Sequence, residues 1–443
     1  MLQLRVQRNR SLSVNKGEQM SEEKKRIKVL TISDHPLSPS GVGTQTRYVI
    51  EALLKSDKFD VVSLGGAIKH PDMKPQVTEE WGERWKIFPV EGYGSQDIVR
   101  SVIRNERPDI LYFMTDPRFY GWLWEIEAEL RTIVPMVYYH VWDNFPLPMF
   151  NKKFYESNDF IATISKVTSA VVQGVAPDVQ EQYVPHAVNS EFFKPLDEQH
   201  MANFRASFDE QHQTKDKFIF FWNNRNARRK QSGSLIYWYK DFLDQVGHDK
   251  ACLIMHTDPK DGYGQDLTAI AQELNLFDQN QVLFSTTKVG MEQLSMLYNM
   301  ADCTVNIADA EGFGLATLES LSCGTPIIVC MTGGLQEQVT DGNALFGFGL
   351  EPDSRSIIGS QDVPYIYEDR LNGQKVTNAF RNMYALDSET RAIMGRSGRE
   401  HVLKNYNFDT FEKTWVELLT KIHEEMGSWN SRVHKNFRLL EVA

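Results

Sequence analysis

Short runs of β-branched and aromatic residues alternate with stretches of helical period from residue 26 almost to the end of the chain, and few folds satisfy that alternation. Two parallel strands cannot be joined by a tight turn; they need a crossover of a dozen residues or more, usually a helix. Repeated strand–helix–strand units therefore stack into a parallel sheet with helices on both faces. Strand-like runs stand at residues 27–33, 59–65, 109–115, 135–141 and 160–165. A second set follows at 217–223, 251–257, 281–285, 303–308 and 326–330, with amphipathic stretches such as 291–300 between its members. The expectation is an α/β chain of two Rossmann-like domains facing across a cleft, which suits 443 residues at the usual domain scale of about 200 residues. The expected first domain is 26–195 and the second 196–408, with a linker inside 189–213 around Pro195 and a polar stretch at 197–200. Residues 409–443 are expected to form a last helix and tail. Residues 1–25 are charged and poor in apolar side chains, with Met20 where a start codon could stand, and are expected to be a disordered arm outside the fold.

Composition removes several partner classes. A net charge of −11 opposes nucleic acid or an anionic membrane as the dominant partner. No apolar run reaches the roughly eighteen residues of a membrane span, and the polar N-terminus lacks the apolar core of a signal peptide, so a cytoplasmic location and no strong membrane attachment are expected. Cys252, Cys303, Cys323 and Cys330 lie in or beside apolar runs with no C-x-x-C spacing, and read as reduced, buried fillers.

Four motifs could carry chemistry. Glu311-Gly312-Phe313-Gly314-Leu315-Ala-Thr-Leu-Glu319 follows a strand and opens a helix. Its glycines permit close backbone approach, and the free N–H groups of the helix start favour a phosphate. Glu319, one turn in, leans back toward the same ligand; on spacing alone, Glu311 as a helix cap and Glu319 as a solvated acid is the competing reading. A cationic run, Arg225-Asn-Ala-Arg228-Arg229-Lys230, follows the first strand of the second half, at the sheet edge where α/β ligands bind. Gly41-Val42-Gly43 ends a glycine loop after the first strand and precedes a helix. His140 closes the strand at 135–141, with Asp143 just beyond; a lone histidine is more often structural.

With these residues in that order, the chain resembles the retaining glycosyltransferases of family 4, whose hallmark is two glutamates bracketing an E-G-F-G-x-x-x-x-E run. The resemblance covers most of the chain from about residue 27 to 411. It implies the GT-B fold, with the last helix crossing back onto the first domain. It assigns Arg225 and Lys230 to the donor phosphates, leaving Arg228 and Arg229 open because only one register can place them there. It gives Glu311 and His140 to the donor sugar, Glu319 and the backbone from Gly312 to Leu315 to the nucleoside diphosphate, and Gly41, Val42 and Gly43 to closure over it. Ser285 stands where the base-recognition loop begins, and Glu337 reads as a supporting acid. His186 and Ala187 depart from the family's Asn-Gly. The family has no conserved carboxylate nucleophile, and here Asp302 and Asp309 are too far apart for an Asp-x-Asp metal motif.

The implied activity is a metal-independent, cofactor-free, retaining transfer of a sugar from a nucleotide-sugar donor. Aromatics at 81–97 and 145–155, with Lys152 and Lys153, are expected to face the acceptor, whether a glycan, a lipid-linked sugar, a small molecule or a modified nucleic acid. A sugar-nucleotide epimerase or phosphorylase-like enzyme of the same architecture, or a non-catalytic nucleotide-sugar binder, is the alternative. A NAD-dependent dehydrogenase would need a third glycine, which Gly41-Val-Gly43-Thr-Gln-Thr lacks. Nothing in the sequence speaks to the oligomeric state.

Overall fold

A computed structural model describes residues 26–434; the expected arm at 1–25 and the last nine residues lie outside the described residues. The first sheet contains β1 (Ile27–Asp34), β2 (Phe59–Gly66), β3 (Gln76–Thr78), β4 (Gly82–Pro89), β5 (Ile110–Met114), β6 (Met136–His140), β7 (Phe160–Thr163) and β8 (Glu181–Tyr183). Their spatial order is β3-β4-β2-β1-β5-β6-β7-β8, parallel throughout except for the β3–β4 pair. The second sheet contains β9 (Phe218–Asn223), β10 (Ala251–His256), β11 (Val282–Ser285), β12 (Cys303–Asn306), β13 (Ile327–Cys330) and β14 (Gly347–Leu350), in the order β11-β10-β9-β12-β13-β14. An antiparallel ribbon, β15 (Ser354–Ile358) with β16 (Ile366–Arg370), follows it.

Both sheets reverse their winding beside their first strand, between β1 and β5 and between β9 and β12. At such a switch point the loops after neighbouring strands part and leave a crevice at the carboxyl edge. The loops after β1, β5, β9 and β12 begin near residues 35, 115, 224 and 307, so the glycine loop, the cationic run and the Glu311 motif all stand at switch points.

The central strands are buried along nearly their whole length, as β-branched and aromatic runs covered on both faces require. One body of buried apolar side chains fills the first domain, a second fills the other, and a third is shared by both. The helix Phe408–Met426 explains the sharing. Its Trp415 is fully buried, with its ring 5.4 Å from Tyr112 and 4.8 Å from Tyr139, both strand residues of the first sheet. The C-terminal helix is thus built into the core of the N-terminal sheet. All four cysteines are free and buried, and among the described residues no helix is long and apolar enough to cross a membrane.

Several expectations need correction. The stretch 81–97 is no exposed aromatic face: it contains β4, where Trp85 is buried and donates from Nε1 to Ser63 Oγ at 3.0 Å. Its alternating burial is a strand pattern that the charged residues Glu83, Arg84 and Lys86 disguise. In 145–155 only Phe145 and Met149 are exposed among the large apolar side chains, whereas Tyr155 is fully buried. The linker region contains a helix of its own, Glu198–His212, capped by Asp197, whose side chain accepts from His200 N at 2.8 Å. Replacing Trp415 by Ala should lower the unfolding free energy of the first domain by about 3–5 kcal/mol, the usual cost of emptying a buried tryptophan site. Urea unfolding followed by near-ultraviolet circular dichroism checks this, and an unchanged midpoint would mean that the helix is a detachable appendage.

Candidate active site

The helix Leu315–Ser322 begins at Gly314, whose φ of +93° only glycine adopts without strain, and no side chain caps it. Its free N–H groups therefore point into the crevice. Opposite stands the start of the helix Gly41–Lys55. There Ser40 accepts from Gly43 N at 2.9 Å and donates to Asp34 at 2.6 Å. A methyl group on Gly41 would lie 3.3 Å from Leu315, so the glycine loop of the first domain meets the helix start of the second.

Beside that junction the loops after β9 and β12 are locked together. Lys230 and Glu311 are both buried and ion-paired through Nζ and Oε2; Asn306 Nδ2 donates to the same carboxylate at 3.3 Å. Burial pushes the Lys230 ammonium down to about 8, helped by the neighbouring Arg229. For Glu311 burial acts upward, but the two cations outweigh it and hold the carboxylate below its ordinary value. Arg229 sits 4.0 Å from Glu311 and donates to Ala310 O at 2.5 Å, with its side chain still half open to solvent.

Two carboxylates of the first domain face this cluster. Asp143, after β6, is raised to about 6 by burial, lowered by Arg229 and Lys230, and raised by Asp116 and Glu311. Asp116, after β5, caps Arg118 N at 3.1 Å and also feels Arg229. The approach is close because glycines line it. A Cβ on Gly312 would come within 3.1 Å of Val141 O, and one on Gly333 would overlap Glu311 O at 1.9 Å and press on Asp143 O at 3.0 Å.

Glu319 lies one turn into the same helix and is half-buried, so the solvated-acid reading does not hold. Its carboxylate accepts from Tyr298 Oη at 2.8 Å, and burial pushes it up to about 7 against that hydrogen bond. Glu311 and Glu319 thus have opposite environments: one is neutralised by cations, the other has only a phenol.

The structure brings Gly41, Val42, Gly43, Lys230, Glu311, Gly312, Phe313, Gly314, Leu315 and Glu319 around one crevice, but not every expected residue. Arg225 is engaged elsewhere: its guanidinium pairs with Asp261 at 2.7 Å and lies 4.3 Å over the Tyr263 ring. Arg229 occupies the place next to Lys230, and only the 3-10 turn Arg228–Lys230 decides which arginine of the run points inward. His140 is fully buried under the crevice. Its Nε2 meets Tyr155 Oη at 2.7 Å, its Nδ1 has no partner, and burial lowers it to about 3, which keeps the ring neutral. Ser285 pairs with His256 Nδ1 at 2.8 Å at the end of β11. Glu337 bonds to Lys166 N and Tyr183 Oη of the first domain, each at 3.3 Å, and is raised to about 7 by burial. It joins the two domains without touching the cationic cluster. Asp116 was not legible in the sequence, since a single acid after a strand carries no pattern.

Residues 204–356 match the family model described as Glycosyl transferases group 1. That stretch is similar to the family, and the architecture of the chain is the GT-B fold. It is similar to a GDP-mannose-dependent alpha-(1-6)-phosphatidylinositol monomannoside mannosyltransferase of Mycolicibacterium smegmatis, 26% identical over 270 residues, 59% of this chain and 62% of that protein. It is also similar to a D-inositol 3-phosphate glycosyltransferase of Streptosporangium roseum, 37% identical over 76 residues, 17% of each. The matched stretches thus span less than two thirds of these relatives. Among solved structures, a sucrose-phosphate synthase of Thermosynechococcus elongatus superposes with a TM-score of 0.71 at 18% identity, covering 90% of this chain and all of that one. The Anabaena protein HepE, solved in complex with UDP and glucose, does so with a TM-score of 0.64 at 15% identity, over 89% of this chain and 100% of the other.

A buried ion pair is costly to break because the survivor is left as an uncompensated charge. Lys230→Met should therefore destabilise the protein by about 3–5 kcal/mol, and Lys230→Met/Glu311→Leu by less than Lys230→Met alone. Thermal unfolding of the three proteins checks this; a double variant as unstable as the sum of both losses would deny the coupling.

Proposed function

We propose that the chain is a metal-independent, retaining glycosyltransferase that moves a sugar from a nucleoside-diphosphate sugar to an acceptor held by the first domain. The observation that carries this reading is the cationic pair Arg229 and Lys230, set beside an uncapped helix start at the switch point of the second sheet. A diphosphate needs fixed positive charge and N–H donors, and both converge here. The similar mannosyltransferase of Mycolicibacterium smegmatis is GDP-mannose-dependent, and HepE was solved with UDP, which supports a diphosphate donor in the same crevice.

In the proposed reaction the bond between the anomeric carbon and the phosphate oxygen breaks, and its electron pair leaves with the phosphate. The acceptor oxygen bonds to the same face of the sugar, and its proton passes to the departing phosphate oxygen. Arg229, Lys230 and the helix N–H groups stabilise the leaving charge before it forms, which costs no reorganisation during the step. Glu311, held by Lys230, would position the sugar. Glu319 would accept from the ribose hydroxyls in exchange for, or beside, Tyr298. The four free, buried cysteines suit a reducing compartment such as the cytoplasm.

A screen of UDP- and GDP-sugars by mass spectrometry tests the reading, with turnover expected to persist in EDTA. Arg229→Ala and Lys230→Ala should each weaken nucleoside-diphosphate binding at least tenfold, since a charge-assisted contact contributes about 1.5–3 kcal/mol. Arg225→Ala should change it little. Calorimetry decides, and the reverse order would restore Arg225 to the phosphates.

The raised Glu319 gives a pH test. Its carboxyl is protonated below about 7 in the free protein and ionised above. The ionised form is the better acceptor for ribose hydroxyls, so binding should draw a proton off below that value. UDP or GDP affinity should therefore rise with pH up to about 7 and then level. Glu319→Gln should keep only the dependence that belongs to the nucleotide; an identical pH profile in both proteins would remove Glu319 from the ribose.

A further inference from the structure

The Asp143 carboxylate forms no side-chain hydrogen bond with any described residue, although four charged groups surround it: Arg229, Lys230, Glu311 and Asp116. Every other part of its loop is anchored. Thr168 Oγ1 donates to Trp142 O at 2.7 Å and Trp142 Nε1 to Asn144 O at 2.7 Å. Asn144 Nδ2 donates to Asp369 Oδ2 at 3.1 Å and to Tyr367 O at 3.3 Å, while Tyr367 N donates to Phe145 O at 2.6 Å. Asp369 and Tyr367 belong to β16, so a ribbon of the second domain straps a loop of the first. The ribbon is itself tied to the loop after β12, through Asp369 N to Asp309 O at 2.9 Å and Arg370 to Asp309 at 3.3 Å. Holding one loop by so many bonds while leaving its carboxylate unspent is the arrangement of a group kept for a ligand.

We infer that Asp143 accepts the hydrogen bond of the acceptor's attacking hydroxyl, and that the ribbon β15–β16 positions it there through Asn144. The inference rests on the transferase reading. It assigns Asp143 no proton: the attacking O–H is aligned by the carboxylate, the new bond forms at the anomeric carbon, and the proton still leaves with the phosphate. Asp116 is the neighbouring candidate, but its carboxylate is already committed to Arg118, by the cap on its N–H and an ion pair at 3.4 Å. Because the ribbon touches both the donor-side loop and the acceptor-side loop, the carboxylate is in place only when the domains are together.

The test uses the full chain with UDP-glucose and GDP-mannose, reading sugar release with water as the attacking hydroxyl. Asp143→Asn should lower turnover at saturating donor at least tenfold while leaving the Kd of UDP or GDP within about twofold, since the lost contact acts on the nucleophile. Burial raises Asp143 to about 6, with Arg229, Lys230, Asp116 and Glu311 facing it, so the wild-type rate should fall as pH drops through that value. That acid limb should vanish in Asp143→Asn. Asp143→Glu, which keeps the carboxylate, should retain it and separate loss of the group from loss of the loop. Asn144→Ala should lower turnover and keep the limb. Unchanged turnover in Asp143→Asn, an acid limb that survives it, or an equal loss of nucleotide affinity overturns the inference and leaves the transferase standing. Failure of the wild-type protein to bind either UDP or GDP overturns the transferase reading with it.

Discussion

The buried pair of Lys230 and Glu311 decides how the second domain presents its crevice. It joins the loop after β9 to the loop after β12, the two sides of the switch point, and it does so where neither partner can relax into water. Removing two charges from solvent is expensive, and an apolar pair would pack as well at lower cost. Its retention makes sense if both ends are needed charged toward something else. Asn306 takes up part of the remaining acceptor capacity of Glu311, and Arg229 shares its field with Asp143 across the crevice. The cluster is balanced across two domains, so the charge each residue presents depends on whether the domains are together.

Closeness is obtained by removing side chains. Gly312 and Gly333 let the strand-end loop of the first domain rest on the Glu311 backbone, and Gly41 admits Leu315. Gly314 and Gly333 are also required by a positive φ, and Gly314 leaves the following helix uncapped. Where the backbones part, the ribbon β15–β16 and Glu337 bridge the domains instead, one through Asn144 and Phe145, the other through Lys166 and Tyr183. Such polar contacts between domains are typical of interfaces that open and close, whereas the apolar union through Trp415 is typical of ones that do not. The fold therefore joins its domains in two ways, one apolar and continuous with the core, the other polar.

The parts of this arrangement that the sequence disclosed are those with a period or a fixed spacing. Strand–helix alternation placed ten of the sixteen strands among the described residues, because buried parallel strands are apolar without interruption. Strands with polar faces near the sheet margins escaped: β4 alternates lysine, arginine and glutamate with Trp85 and Ile87, and the edge strand β8 has three polar residues. The glutamate spacing and the glycines were legible because a helix start has a geometry that sequence can encode. Which arginine of a cationic run points inward was not, since a 3-10 turn rotates each successive residue by about 120°, three to a turn, and Asp261 and Tyr263 lie 36 and 38 residues beyond Arg225 to capture it. Asp143 stood in plain sight beside His140, yet its loop is tied through Asn144 to Asp369, 225 residues beyond Asn144, which no local pattern announces.

His140 shows how a strand end can mislead. Position alone brought the imidazole to the carboxyl edge of β6, but strand side chains alternate, and Tyr139 and His140 point to opposite faces. His140 went into the layer occupied by Tyr138 and Tyr155, where burial keeps it neutral and its Nε2 is spent on a phenol. The residues that reach the crevice from β6 are those past its last hydrogen-bonded pair, where the chain is free to turn. In a doubly wound sheet the strand delivers its loop to the site, and the chemistry begins where the strand ends.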